Sequence, residues 1–138
     1  MSAPYVLERQ IGFVLRQVNQ RHLALFGEMM IGDLTPTQFS AIVKLHEHRS
    51  CSQNRLGRLT AMDGATIKGV IDRLTRRGVT ETHPDPEDAR LLMVSLTGAG
   101  RRLAEQAIPH AARITEATLT PLSAAERARL LALLDKLR

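Results

Sequence analysis

Between Asp63 and Gly78, small and basic residues return with helical spacing. Ala65, Thr66, Lys68, Gly69, Arg73 and Arg76 fall on one face of any helix drawn through this stretch. Thr66 and Lys68 lie in the first turns, where short polar side chains can reach base edges in a major groove. Arg73 and Arg76 come later, where guanidinium groups suit phosphates. The opposite face carries Ile67, Val70, Ile71 and Leu74 at i, i+3, i+4, i+7. Gly69 costs such a helix about 1 kcal/mol relative to alanine. Close approach to a groove would explain it, and so would close packing on another helix. An ordinary helical hairpin with a solvated basic face would carry the same pattern, so this stretch alone leaves two readings open.

Two further sets of residues offer related chemistry. Gln53, Asn54 and Arg55 follow Ser52, a good N-cap, and free N–H groups beside an arginine suit a phosphate. Arg90 stands at the base of a polar turn, where an arginine can enter a narrow minor groove. Asp88, two residues earlier, offers it a salt bridge instead.

The elements that must position these residues can be read along the chain. Pro4 to about Met30 is expected to be one long helix with a broad apolar stripe, Leu7, Ile11, Val14, Leu15, Val18, Leu25, Phe26 and Met29. Phe13 and Leu23 add a second stripe, and two apolar faces imply two neighbours. Thr35-Pro36-Thr37-Gln38 is a capping box with proline at N1, and it opens a second helix. Leu56 and Leu59 give the helix after Ser52 one apolar edge. Thr60-Ala61-Met62 interrupts it, Asp63 caps the next, and Gly78 ends that one as a C′ residue. Val79–Thr82 and Leu91–Leu96 are β-prone, with the proline-rich turn His83–Asp88 between them, so a two-stranded hairpin is expected. Thr97 caps a helix that Pro109 should kink or split. Ser123-Ala124-Ala125-Glu126 is a second capping box before a leucine-striped last helix.

The order is α-α-α-α-β-β-α-α: mainly α with a small β-hairpin. Three helices followed by a hairpin form a winged helix-turn-helix, and the wing strengthens the DNA-binding reading. The 138 residues make one domain, 1–138. Residues 35–96 would form the DNA-binding lobe, with 1–31 and 97–138 as helices for dimerisation.

Composition narrows the classes. The net charge of +5 favours a polyanionic partner. Aromatics at 3%, with no tryptophan, argue against single-strand binding by base stacking. No apolar run is long enough to span a membrane and no signal-peptide core opens the chain, so a cytoplasmic protein with no membrane role is expected. One cysteine, Cys51, excludes an internal disulfide framework and a cysteine-based zinc site. His46 and His48 do not share a helix face, so no metal is called for, nor any cofactor. No catalytic motif is present, and an enzyme is not expected.

The residues now carry a family resemblance. LTPTQFSAIVKL, QNRLGRLTAMDGATIKGVIDRLTRRG and DPEDARLLMVSLTGAG resemble the second helix, the helix-turn-helix and the wing of the MarR family of bacterial transcription regulators. The segment CSQNRLGRLTAMDGATIKGVIDRL is similar to that family's repressors of nicotinate catabolism. The resemblance implies a homodimer on a pseudo-palindromic double-stranded DNA operator. It also implies a repressor of a catabolic operon, released by a small aromatic carboxylate such as a nicotinate derivative. A ligand that favoured a different spacing of the two recognition helices would lower DNA affinity. The first wing strand, Val79-Thr80-Glu81-Thr82-His83, lacks the arginines often found there, so the wing's contact rests on Arg90. Arg16, Gln20 and His22 of the first helix are candidates for the effector, with arginine for its carboxylate and histidine for a ring nitrogen or hydroxyl. A core histidine and an inter-subunit ion pair are the plainer alternatives. Rival functions are an architectural DNA-binding protein without effector, or a regulator responding to metal or to oxidation of Cys51.

Overall fold

The computed structural model describes residues 2–138. A 3₁₀ turn, Leu7–Arg9, precedes α1 (Ile11–Met29), followed by α2 (Pro36–His48), β1 (Ser50–Ser52), α3 (Gln53–Leu59) and α4 (Gly64–Arg76). Then come β2 (Thr80–Pro84), β3 (Leu92–Leu96), α5 (Gly98–Leu119) and α6 (Ala124–Asp135). Two compact units divide the chain. One is Met30–His110; the other joins the residues up to Met29 with Ala111–Arg138.

The expected caps form. Thr35 Oγ1 accepts from Gln38 N, Gln38 Oε1 accepts from Thr35 N, and both bonds are 3.2 Å. Ser123 and Glu126 close the same reciprocal box before α6. Gly78 takes φ +75°, the left-handed conformation that ends α4 without a Cβ penalty.

The unit Met30–His110 is built on the inner faces of its helices. Ile42 and Leu45 of α2, Leu56 of α3 and Ile67, Ile71 and Leu74 of α4 meet Cys51 and Val94 in one buried cluster. Each large side chain there contributes roughly 1.5–3 kcal/mol by leaving water. The periodic apolar positions of α4 are thus its core face, and the polar positions are left outside.

Four expectations change in detail. The sheet has three antiparallel strands, in the order β1-β3-β2, rather than two. β1 is only three residues long, so it shows no period in sequence. Cys51 pairs with Val94 across it, and both are buried. The wing strand β2 runs on through His83 and Pro84, which pair with Met93 and Leu92. Proline is tolerated there because it closes the strand's end on an edge of the sheet. The first helix begins at Ile11, because Gln10 is extended (φ −87°, ψ 137°) after the 3₁₀ turn. Pro109 does not split α5. It removes the N–H that Glu105 O would accept, and both residues lie on the exposed side, where water can satisfy the carbonyl.

In the second unit, the guanidinium of Arg21 donates to Thr118 O at 2.6 Å and Ala117 O at 3.0 Å. These carbonyls lie in the last turn of α5, where Ala117 O otherwise accepts only a long bond of 3.5 Å from Thr120 N, and a cation there also suits the helix dipole. Arg127 binds Glu116 at 2.7 Å and Leu122 O at 3.1 Å. Ile11, Leu15 and Val18 of α1 and Leu131, Leu133 and Leu137 near the C-terminus remain exposed.

Candidate nucleic-acid interface

α4 enters on Asp63, whose carboxylate accepts from Thr66 N at 2.7 Å. The bonds to the Thr66 and Ala65 N–H groups hold the Asp63 carboxyl below the ordinary carboxylate range. Ala65, Thr66, Lys68, Arg73 and Arg76 are all exposed, and Gly69 is half-buried. The expected face therefore exists as one continuous surface. One member of it was missed in the sequence. Asp72, also exposed, accepts from Lys68 Nζ at 2.9 Å. The i, i+4 spacing signalled that pair. Asp72 takes one of the three N–H donors of Lys68 and leaves two for another acceptor.

Gly69 can be judged by its surroundings. A Cβ built there has its three nearest neighbours in the Arg73 side chain, the closest Nη1 at 3.4 Å. Close packing on another helix does not account for the glycine. Gly100 is the opposite case: a Cβ there would collide with the Val79 carbonyl. This close approach lets the first turn of α5 lie against the base of the wing. Thr97 fastens the same point, donating to Gly78 O at 2.6 Å and accepting from Gly100 N at 3.0 Å.

α3 starts from Ser52, which accepts from Arg55 N at 3.2 Å. Asn54 and Arg55 are exposed and Gln53 is half-buried. Cys51, behind them, is 2% exposed, and burial pushes its thiol up while Arg55 pulls weakly the other way. A buried thiol raised in this way is a poor nucleophile.

On the wing, Arg90 forms a two-point pair with Asp88: Nε to Oδ1 at 3.0 Å and Nη2 to Oδ2 at 3.1 Å. That pairing holds the Asp88 carboxyl below its ordinary range and raises the guanidinium further. The Arg90 side chain is nevertheless 90% exposed. The tip is ordered by hydrogen bonds from Glu87 N and Asp88 N to Asp85 Oδ1, at 2.7 and 3.1 Å.

A cleft of about 260 Å³ brings three elements together. It is lined by Gln53 and Asn54 at the start of α3, Lys68 of α4, and Arg90 with Leu91 and Leu92 of the wing. Arg73 and Arg76 lie further along α4 and do not line it. Arg16 and Gln20 of α1 are exposed, and Arg16 has no partner among the described residues. His22 is half-buried, with Nδ1 2.8 Å from Thr118 Oγ1. Among the described residues there is no cluster of three metal-ligating side chains, and no helix is long and apolar enough to cross a membrane.

A capped helix with a polar, basic outer face, a second helix start beside it and an arginine-bearing wing define a winged helix-turn-helix DNA-binding lobe. The comparisons narrow that class. The MarR family model matches residues 34–92. The HTH-type transcriptional repressor NicR of Pseudomonas putida is 39% identical over 137 residues, covering 99% of this chain and 87% of NicR. The crystal structure of a probable transcriptional regulator from Pseudomonas aeruginosa superposes with a TM-score of 0.94 at 50% identity, covering 96% of this chain and all of that one. Bordetella bronchiseptica BpsR, whose DNA binding is regulated by 6-hydroxynicotinic acid, superposes at 0.93 with 38% identity, covering 98% and 97% of the two chains. The chain belongs to the MarR family of transcription regulators.

Proposed function

We propose that this protein is a homodimeric repressor that binds a pseudo-palindromic operator and leaves it on binding a small aromatic carboxylate. The observation that carries the DNA reading is the cleft where the start of α3, Lys68 and Arg90 converge. Thr66 and Lys68 read base edges, with Ala65 and Gly69 allowing the backbone of α4 to come close. Gln53, Asn54, Arg55, Arg73 and Arg76 bind phosphates and fix the register. Arg90 exchanges Asp88 for the minor groove. The exposed apolar residues of α1 and α6 supply the surface for a second copy. Two copies related by a twofold axis would set their α4 helices about one turn of DNA apart. The protein acts in the cytoplasm, without metal, cofactor or catalysis.

Similarity to BpsR, whose DNA binding is regulated by 6-hydroxynicotinic acid, supports the effector class. A hydroxylated pyridine carboxylate is the first candidate. The test is a gel-shift titration on a duplex selected in vitro for tight binding, repeated with increasing 6-hydroxynicotinate, nicotinate and benzoate. Release by a hydroxypyridine carboxylate below millimolar concentration is expected. A complex indifferent to every aromatic acid would leave a constitutive DNA-binding protein instead.

A further inference from the structure

We infer that Lys68 and Asp72 together read one G·C base pair in each half-site, Lys68 donating to the guanine and Asp72 accepting from the cytosine. Asp72 is the sole acidic residue of α4, and it stands in the middle of the face given to DNA. Ala65, Asp72 and Arg76 fall on one line at i, i+7 and i+11, opposite the buried Ile67, Val70, Ile71 and Leu74. A carboxylate there is repelled by every phosphate the helix meets. Helix stability does not account for it. An exposed i, i+4 ion pair adds little, and beyond the first turn the helix dipole gives a carboxylate nothing. A hydrogen-bond donor on a base edge gives it a role.

The two side chains present a donor and an acceptor at a set spacing. Lys68 Nζ lies 2.9 Å from Asp72 Oδ2. Nζ keeps two further N–H donors, and Oδ1 has no partner among the described residues. A G·C pair shows the complement on its major-groove edge. Guanine O6 accepts and cytosine N4–H₂ donates, and the two atoms are separated by the pair's own hydrogen bond, about 2.9 Å. Guanine N7 lies beyond O6. The free donors of Lys68 therefore find O6 and N7, while Asp72 Oδ1 takes the outer N4–H. An A·T pair also sets a donor beside an acceptor, adenine N6 beside thymine O4. Its O4 is followed by a methyl group rather than a second acceptor, so the second donor of Lys68 would be buried without a partner.

The surface around Asp72 suits this reach. Aspartate is short, so it meets a base edge only where its neighbours are no taller. One turn back Gly69 has no side chain, and two turns back Ala65 has one carbon. Arg76, one turn on, folds back along the helix, its Nε donating to the Asp72 carbonyl at 3.4 Å. Lys68 lines the cleft beside Asn54 and Arg90. The pair therefore sits where the start of α3, α4 and the wing converge.

This inference rests on the reading of the chain as a sequence-specific DNA binder, and the test separates the two. Each base pair in one half-site of the selected duplex is replaced in turn. Gel-shift titrations at one salt concentration then compare the full-length wild type with Asp72→Ala and Lys68→Ala, and a random-sequence duplex gives the non-specific affinity. For the wild type, replacing one particular G·C pair by A·T is expected to weaken binding about tenfold or more, the scale on which good base contacts discriminate. In Asp72→Ala that penalty falls to about threefold or less while penalties at the other positions stand. Its affinity for the random duplex rises, because a charge that repels phosphate is gone. Lys68→Ala loses the penalty at the same pair. The inference is overturned if Asp72→Ala changes affinity equally for every duplex, which makes the carboxylate a helix support or a repulsive charge. It is overturned if the two variants act at different pairs, or if the pair they release is A·T. A wild type that binds the random duplex as tightly as the selected one overturns this inference and the regulator reading together. A strong sequence preference that Asp72→Ala leaves intact overturns this inference alone.

Discussion

Replacing Gly69 by alanine adds one methyl to the outer face of α4, where the nearest atom is Arg73 Nη1 at 3.4 Å. That neighbour is the far end of a flexible side chain and can move aside. In the free protein the methyl therefore meets little resistance, and α4 gains the helix propensity that glycine forfeits, about 0.8–1.0 kcal/mol. In a chain of this size that raises the melting temperature by roughly 3 °C, measured at matched protein concentration because a dimer's melting depends on it. On DNA the same methyl stands between the backbone of α4 and the groove. If it lifts each helix enough to lose one hydrogen bond, the loss is about 1 kcal/mol per helix. Two helices per dimer then make it about 2 kcal/mol, or roughly thirtyfold in Kd. Thermal melting and a gel-shift titration on the same preparation should move in opposite directions. A higher melting temperature with unchanged duplex affinity would remove Gly69 from the groove. A lower melting temperature would refute the account of its surroundings.

Three other outcomes can be checked on the same footing. Arg90→Ala should weaken duplex binding and reduce the salt slope by about 1 per wing, while melting stays unchanged because the pair with Asp88 is exposed; wild-type affinity would sink the wing assignment. Gly100→Ala forces a Cβ into the Val79 carbonyl, backbone against backbone. It should cost about 3 kcal/mol, read as a large drop in denaturation midpoint, and an unaltered midpoint refutes the close approach. Asp63 has a folded-state pKa below its unfolded one. Its charge therefore stabilises above the ordinary carboxylate pKa of about 4, and that contribution disappears as pH falls through the lower folded value. Asp63→Asn keeps a cap but not the charge, so the gap between wild type and variant in urea denaturation should close as pH drops below about 4. A gap of constant size across that range would show that the charge contributes nothing.

Much of the lobe is legible in the sequence because capping and helical period are local. Ser52, Asp63 and Thr35 each accept the N–H predicted from residues three positions away. The apolar period of α4 likewise needs only eight residues to declare itself. What was hidden depends on distant partners. β1 is three residues long and finds Val94 some forty positions later, so no window of sequence contains the pairing. Pro84 reads as a turn residue, yet the strand's end at an edge has no use for its missing N–H. Gly69 had two explanations in sequence, and only the neighbours of a built Cβ separate them.

The hydrogen bonds at the wing tip have a consequence for how such a protein can diverge. The ladder between β2 and β3 ends at Pro84 and Leu92, and Asp85 N bonds to Leu91 O at 2.9 Å just beyond it. Everything outward of that bond, Pro86 to Arg90, hangs from a closed loop and bears no core residue. Descendants can lengthen, shorten or recharge those five positions without renegotiating the fold. The wing tip can therefore vary apart from the lobe's core, whereas the outer and core faces of α4 are inherited on the same thirteen residues.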